Sequence, residues 1–180
     1  MARPPKSGLD YFPLDVDFFE DEKIVAIARE FGVKGEIIAL RLLCAVYRNG
    51  YFALWDEAMK IKILQNVPGV SSDGLEQIVS RLVKWGLFDS NLFRSVRIMT
   101  SRGIQKRYIN AVENRSEVTL FADYWLIPIP ENTKRTTFRV LPTQDPVTHP
   151  QNSIMRQQNP VMRQQSTQSK GKESIYHFTP

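Results

Sequence analysis

The sequence predicts a mainly helical fold with a small sheet, on three observations. Residues 72–85 carry the apolar spacing of one buried helix face, namely Leu75, Ile78, Val79, Leu82 and Val83. Gly86 ends this helix, because glycine accepts a positive φ without a Cβ clash. A turn signal over 89–91 and a strand-like segment over 93–99 follow at once. A helix followed directly by a hairpin is the recognition helix and wing of a winged helix-turn-helix domain.

Apolar periodicity and capping residues place the other elements around this helix. We expect helices over 21–31, 35–48, 56–65 and 102–114, and a short aromatic strand over 51–55. The helix over 35–48 is apolar on nearly every side, which is typical of a central buried helix. The strand over 51–55 is expected to pair with 93–99, so that the wing becomes a three-stranded sheet.

Changes in composition divide the chain into four parts. Residues 1–9 form a polar, mobile N-terminus, and residues 10–115 form the winged-helix domain. Residues 116–130 form an extended apolar segment, which either folds back on the domain or binds a partner. Residues 131–180 are rich in Gln, Asn, Pro, Ser and Thr, and we expect a low-complexity, disordered tail.

The tail contains a short repeat, in which residues 154–158 resemble residues 161–165 at a spacing of seven. A spacing of seven is the coiled-coil repeat, but two copies are few and Pro160 stands between them. The low-complexity interpretation is therefore favoured over a coiled coil.

Composition indicates the cellular compartment and argues against a membrane-spanning or secreted protein. No apolar run approaches the roughly 20 residues that a membrane span needs, and the first residues do not lead into a signal-peptide core. One cysteine, Cys44, cannot form an internal disulfide, and its apolar surroundings predict a buried side chain. We expect a soluble cytoplasmic protein with no membrane partner.

Motifs for enzyme chemistry are missing, so we expect no enzyme, no cofactor and no catalytic or metal site. The sequence has no phosphate-binding glycine loop, no cysteine pair and no nucleophile elbow. Its two histidines, His149 and His177, both lie in the tail. The carboxylates over 15–22 are either a divalent-cation site or helix-capping groups. Capping is favoured, since further ligands at a set spacing do not occur.

Charge is distributed unevenly along the chain. Residues 10–36 contain eight acidic and three basic side chains, whereas residues 81–115 contain eight basic and two acidic ones. This asymmetry predicts a polarised surface whose basic side attracts the phosphates of a duplex. The predicted DNA-binding residues are Gln77, Ser80, Arg81, Lys84, Arg94, Arg97, Arg102 and Lys106. Of these, Gln77 is suited to reading adenine and Arg81 to reading guanine.

Six short segments resemble a bacterial and prophage family related to the N-terminal domain of DnaD-like replisome organisers. They are Leu14–Phe19, Glu30–Gly35, Leu42–Tyr47, Trp85–Asp89, Leu92–Phe93 and Thr100–Gln105. The resemblance covers residues 9–115. It implies a winged-helix fold, a place in phage or mobile-element DNA replication, and self-association through this domain. The resemblance also implies that relatives with a primosomal role contain a second, helical DNA-binding domain with a spaced tyrosine-to-tryptophan motif. We do not find that motif in these residues, where Tyr124 and Trp125 are adjacent, which argues against helicase loading by this chain alone.

Two functions follow as expectations. The first is a non-enzymatic DNA-binding or scaffolding protein of replication initiation, a homo-oligomer whose partners are DNA and a helicase or its loader. The second is a winged-helix module for protein oligomerisation without DNA contact, in which either the wing or the segment 11–19 forms the interface. The aromatic residues over 11–19 and 121–126 favour this module. A transcriptional regulator, binding a palindrome as a two-fold dimer, shares the same fold.

Overall fold

A computed structural model describes residues 8–142 and confirms a mainly helical chain. The five helices are α1 (Glu22–Asn49), α2 (Glu57–Asn66), α3 (Ser72–Lys84), α4 (Ser90–Val96) and α5 (Arg102–Val112). The four strands are β1 (Ala53–Leu54), β2 (Ile98–Met99), β3 (Glu117–Phe121) and β4 (Thr137–Leu141). Two 3-10 turns, Phe18–Glu20 and Ala122–Tyr124, complete the fold. The predictions for residues 1–7 and 143–180, including both histidines and the repeat, lie outside the described residues.

The two predicted N-terminal helices are the two halves of α1, which bends at Gly32. That residue has φ 62° and ψ −156°, a conformation that is open to glycine and costly for other residues. The second half of α1 lies in the core, with Ile38, Leu42 and Val46 fully buried. The prediction for Cys44 is wrong, because its side chain is exposed. It lies on the narrow outer stripe of α1 that Arg41 and Arg48 also occupy.

Helices α2, α3 and α5 begin where the capping residues predict. The side chains of Asp56, Ser71 and Ser101 accept hydrogen bonds from the backbone N–H groups of Met59, Gly74 and Ile104. Each cap satisfies a donor that would otherwise have no intrahelical partner. All five apolar residues predicted for the inner face of the α3 helix are buried.

The predicted hairpin after Gly86 is wrong, because residues 90–96 form helix α4. Asp89 caps this helix, and its Oδ1 accepts hydrogen bonds from the N–H groups of Asn91 and Leu92 at 3.0 and 2.9 Å. The polar residues interpreted as a turn are therefore a helix start. Leu92, Phe93 and Val96 have a spacing that also fits one side of a helix, and Phe93 is buried.

The predicted pairing of the 51–55 region with the 93–99 region is confirmed, but the sheet is smaller than expected. Antiparallel strands β1 and β2 place Ala53 opposite Met99 and Leu54 opposite Ile98. The predicted third strand is missing, and within residues 8–142 each sheet has two strands. Helix α4 takes up the residues that the third strand would need.

The chain after α5 folds back on the helical core. Strand β3 buries Val118 and Leu120, and the following turn buries Tyr124. Strand β4 pairs with β3 in parallel, from Glu117 opposite Thr137 to Phe121 opposite Leu141. The expected disordered tail does not begin at residue 131, because residues 131–142 are ordered by this pairing and by Thr136, whose Oγ1 donates to the Glu113 carbonyl at 2.6 Å.

A fully buried glutamine, Gln105, holds the segment that returns after α5 by hydrogen bonds to Tyr124 and Leu126. Its Nε2 donates to Tyr124 O at 2.7 Å and to Thr100 Oγ1 at 3.1 Å, and its Oε1 accepts from Leu126 N at 2.7 Å. The Thr100 hydroxyl donates in turn to Tyr51 O at 2.7 Å. One side chain thus connects α5, the end of β2 and the segment that follows β3.

Replacing Gln105 by leucine should destabilise the protein by roughly 2–4 kcal/mol, since it leaves Tyr124 O and Leu126 N buried without a partner. Urea unfolding followed by circular dichroism measures this loss. The control is Gln77→Leu, the same change at an exposed position of α3, which should alter stability little. Equal stability of the two variants would refute the fastening role.

Buried tyrosines should make the fold sensitive to alkali. Burial raises the pKa of Tyr47 and of Tyr108 from 10.0 to about 12, with Arg107 opposing this for Tyr47. Between pH 10 and 12 the unfolded chain loses these protons while the folded chain keeps them, so stability falls as pH rises. The fall should be roughly 1.4 kcal/mol per pH unit for each tyrosine, with no contribution below pH 10.

Melting temperatures measured across this range by circular dichroism test the expectation, and Tyr47→Phe should make the fall shallower. A melting temperature that stays constant from pH 10 to 12 would contradict it.

Candidate nucleic-acid interface

The outer face of α3 presents Gln77 and Ser80 to solvent, because the inner face is fixed in the core by its five apolar residues. These two side chains lie where a recognition helix would carry base-contacting groups. They open into a cavity of about 550 Å³, which we call the α3 groove. Its lining residues are Glu30, Glu76, Gln77, Ser80, Arg81, Phe93 and Arg97.

Arg97 enters the α3 groove from the end of α4. It has φ 57°, and within residues 8–142 it is the only non-glycine residue with a positive φ. Its guanidinium carbon lies 5.3 Å from the centre of the Phe93 ring, a distance typical of a cation–π contact. The left-handed backbone at this residue ends α4 and allows β2 to begin at Ile98.

Two carboxylates reduce the positive charge of the α3 groove. Arg81 Nε donates to Glu30 Oε1 at 2.8 Å, and Glu76 pairs with Lys60 at 2.6 Å. The Arg81–Glu30 pair is half-exposed, and such pairs contribute only about 0–1 kcal/mol. Arg81 is therefore held by a weak contact that an anionic ligand would have to replace.

A second, larger cavity of about 960 Å³ gathers cations from four helices. Lys84 comes from the end of α3, Arg94 from α4, and Arg102 and Arg107 from α5. Lys23 comes from the first turn of α1 and forms an ion pair with Asp21 at 3.2 Å. We call this cavity the basic cleft. Lys84, Arg94 and Arg102 are exposed, and none of the three has an ion pair within residues 8–142. Their ammonium and guanidinium groups are therefore available to an anion.

Acidic side chains also line the basic cleft. Asp15, Asp17, Glu20 and Asp21 come from the segment that precedes α1, and Asp89 comes from the start of α4. Asp15 forms an ion pair with Arg107 and, by accepting its hydrogen bond, raises the pKa of that guanidinium further. Asp21 caps α1 by accepting from Lys23 N at 2.9 Å, as the capping interpretation predicts.

The predicted separation of acidic and basic surfaces is therefore wrong, since both signs of charge line one cavity. The physical reason is the anchoring of the acidic segment. Phe12 stacks on Tyr47 with ring centres 4.4 Å apart, and Phe18 is buried in the core, so the residues between them pass beside α5. Charge counts along a sequence do not reveal such an approach.

The eight predicted DNA-binding residues fall into two cavities and one isolated position. Gln77, Ser80, Arg81 and Arg97 line the α3 groove, while Lys84, Arg94 and Arg102 line the basic cleft. Lys106 is exposed on α5 and lines neither cavity. The predicted DNA-binding residues do not include Arg107. This arginine belongs to the basic region 81–115 and lies one helical turn after Gly103.

A metal site and a membrane-spanning helix are both missing from the described part of the chain. Between residues 8 and 142, no group of three or more His, Cys, Asp or Glu side chains could hold a metal ion. In the same residues, no helix combines the length and the apolar character needed to cross a membrane.

Comparisons with known proteins give a family. A family model described as "Lin1244/Lin1753-like, N-terminal" matches residues 11–104. The "Uncharacterized phage-related protein Lin1244/Lin1753" of Listeria innocua is 36% identical over 174 residues, which cover 97% of this chain and 56% of that protein. The chain thus spans little more than half the length of this curated relative. No solved structure matches the chain significantly.

Proposed function

The chain belongs to the Lin1244/Lin1753-like family of phage-related proteins, and on this premise we propose a non-enzymatic DNA-binding or scaffolding protein of phage or mobile-element replication initiation. A phage-related relative supports the setting, and the basic cleft supports the activity. The proposed partners are DNA, further copies of the chain, and a replication protein such as a helicase or its loader.

The observation that carries the proposal is the convergence of Lys84, Arg94 and Arg102 from three helices on one cavity. Cations that neutralise phosphates release counterions from a nucleic acid, and this release drives binding at low salt. Three phosphate contacts predict that log K changes with log[salt] with a slope of about −2.7, at roughly −0.9 per contact. Three contacts give one chain a modest affinity for DNA. Several copies joined in the proposed oligomer would bind the same DNA more tightly.

The proposed fold is a winged helix in which α4 replaces the hairpin. The second half of α1, β1, α2, α3 and β2 follow the element order of that class, and β1 pairs with β2 as its sheet requires. In this arrangement Gln77 and Ser80 of α3 face a DNA groove, and Arg97 approaches from the position of the wing. The backbone would be held by the basic cleft and the bases approached from the α3 groove.

Charge reversal tests the DNA proposal. Lys84→Glu with Arg94→Glu should weaken duplex binding about tenfold or more and flatten the salt slope by about 2, because two phosphate contacts become repulsive. Fluorescence anisotropy titrations at two salt concentrations measure both quantities.

The matched control is Arg29→Glu with Arg41→Glu, which changes net charge equally at exposed positions of α1 outside both cavities. If both double variants bind like the unaltered chain, the basic cleft is not a DNA-binding surface.

A protein-interaction module is the second candidate, and exposed apolar side chains favour it. Tyr11 is 85% exposed, Val16 is fully exposed and Phe19 is 50% exposed, all within ten residues of one another. Exposed apolar patches often mark protein interfaces.

A transcriptional regulator is a third function that the same proposed fold allows. A two-fold dimer bound to a palindromic DNA site would identify it.

If the segment 11–19 forms the interface of an oligomer, Val16→Ser with Phe19→Ser should dissociate that oligomer, since both changes remove apolar area that the contact would bury. Light scattering coupled to gel filtration gives the mass. Val33→Ser, at a 69% exposed position of α1, is the control and should leave the mass unchanged. A monomeric unaltered chain would rule the module out.

A further inference from the structure

We propose that the acidic segment Asp15–Glu20 competes with nucleic acid for the basic cleft and thereby limits its affinity. This inference rests on the proposed function, because it concerns the regulation of the same cavity. It adds an intramolecular anion to a site that the DNA proposal describes by its cations alone.

The first support is position. Asp15, Asp17 and Glu20 line the same cavity as Lys84, Arg94 and Arg102. A phosphate backbone that enters this cavity would share it with these carboxylates, and like charges repel most strongly within the roughly 8–10 Å over which salt leaves them unscreened. Their repulsion therefore opposes the attraction of the cations.

The second support is the unequal way in which the carboxylates are held. Asp15 is ion-paired with Arg107, so it keeps one cation of the cleft occupied. Asp17 and Glu20 have no side-chain hydrogen bond or ion pair within residues 8–142. No ion pair compensates their charges, so both carboxylates add a negative field to the cleft, reduced by the screening of solvent and salt.

The third support is the attachment of the segment. It is fixed at one end by Leu9, whose N–H donates to Tyr47 O at 2.8 Å, and by the stacked Phe12; at the other end it is fixed by buried Phe18. Between these anchors Leu14 is 40% exposed and Val16 is fully exposed. The middle of the segment is held by the hydrogen bond that Phe18 N donates to Asp15 O at 3.1 Å and by the exposed Asp15–Arg107 pair. A polyanion could exchange that ion pair for its own contact with Arg107.

The test is the double variant Asp17→Asn with Glu20→Gln in the full chain. Neither carboxylate makes a side-chain hydrogen bond or ion pair within residues 8–142, and the amides have nearly the same shape, so the change removes charge alone. Duplex affinity at low salt should rise about three- to tenfold, and log K should depend more steeply on log[salt]. Asp15→Asn should add a further increase, because it releases Arg107 for phosphate.

The control is Glu36→Gln with Glu131→Gln, which removes the same charge from positions that line neither cavity. Anisotropy titrations with one labelled duplex compare the three chains, and circular dichroism melts confirm that each is folded. A rise confined to the Asp17/Glu20 variant supports competition. An equal rise in both variants, or no rise in either, overturns it.

The same titration separates the two proposals. If the unaltered chain binds the duplex and the Asp17/Glu20 variant binds equally well, competition fails and the DNA-binding proposal stands. If no chain binds, including the variant in which Asp17 and Glu20 are neutral, the DNA-binding proposal itself fails. Binding by the variant alone supports both. Should the double variant be unfolded, Asp17→Asn by itself carries the same comparison with Glu36→Gln.

Discussion

The described fold depends on the hydrogen bonds of one buried amide, that of Gln105. A glutamine side chain has both donors and an acceptor, and here each is used within the core. An apolar residue could fill the same volume but could not satisfy the two backbone groups of the returning segment. Around this amide the rings of Tyr51 and Trp125 lie 5.0 Å apart, and those of Phe52 and Tyr124 lie 4.9 Å apart. The ring contacts and the hydrogen bonds of the amide thus join the same returning segment to the core.

The same fixed framework determines which charges meet. Tyr47 belongs to the rigid second half of α1, and Phe12 stacks on its ring, so the acidic segment is placed beside α5. Opposite charges gather there without forming a buried network, because most of these groups stay exposed. Exposed charges are individually weak but act together on a polyanion. A cavity lined by both cations and carboxylates is suited to anion binding whose strength can be adjusted.

Some elements follow from local sequence, and others do not. Caps at Asp56, Ser71 and Ser101, and the apolar stripe of α3, are local signals that the structure realises. The segment after Leu87 shows the limit, since Asp89-Ser90-Asn91 is as suitable for a turn as for a helix start. Burial of Phe93, a residue of α4, favours the helix over the turn. The candidate site divides in the same way: the sequence identifies most of its cations, but not the carboxylates that line the same cavity.

The sequence by itself determined the helical class, the positions of most helix ends, the pairing of the 51–55 and 93–99 regions and the family. These depend on interactions between residues near one another in the chain, or on apolar patterns with one sensible partner. Only the tertiary structure decided the division of the site into two cavities, the parallel pairing of β3 with β4 and the neighbourhood of Asp15 and Arg107. These depend on contacts across large sequence separations, whose geometry is fixed by core packing and leaves no periodic signal in the chain.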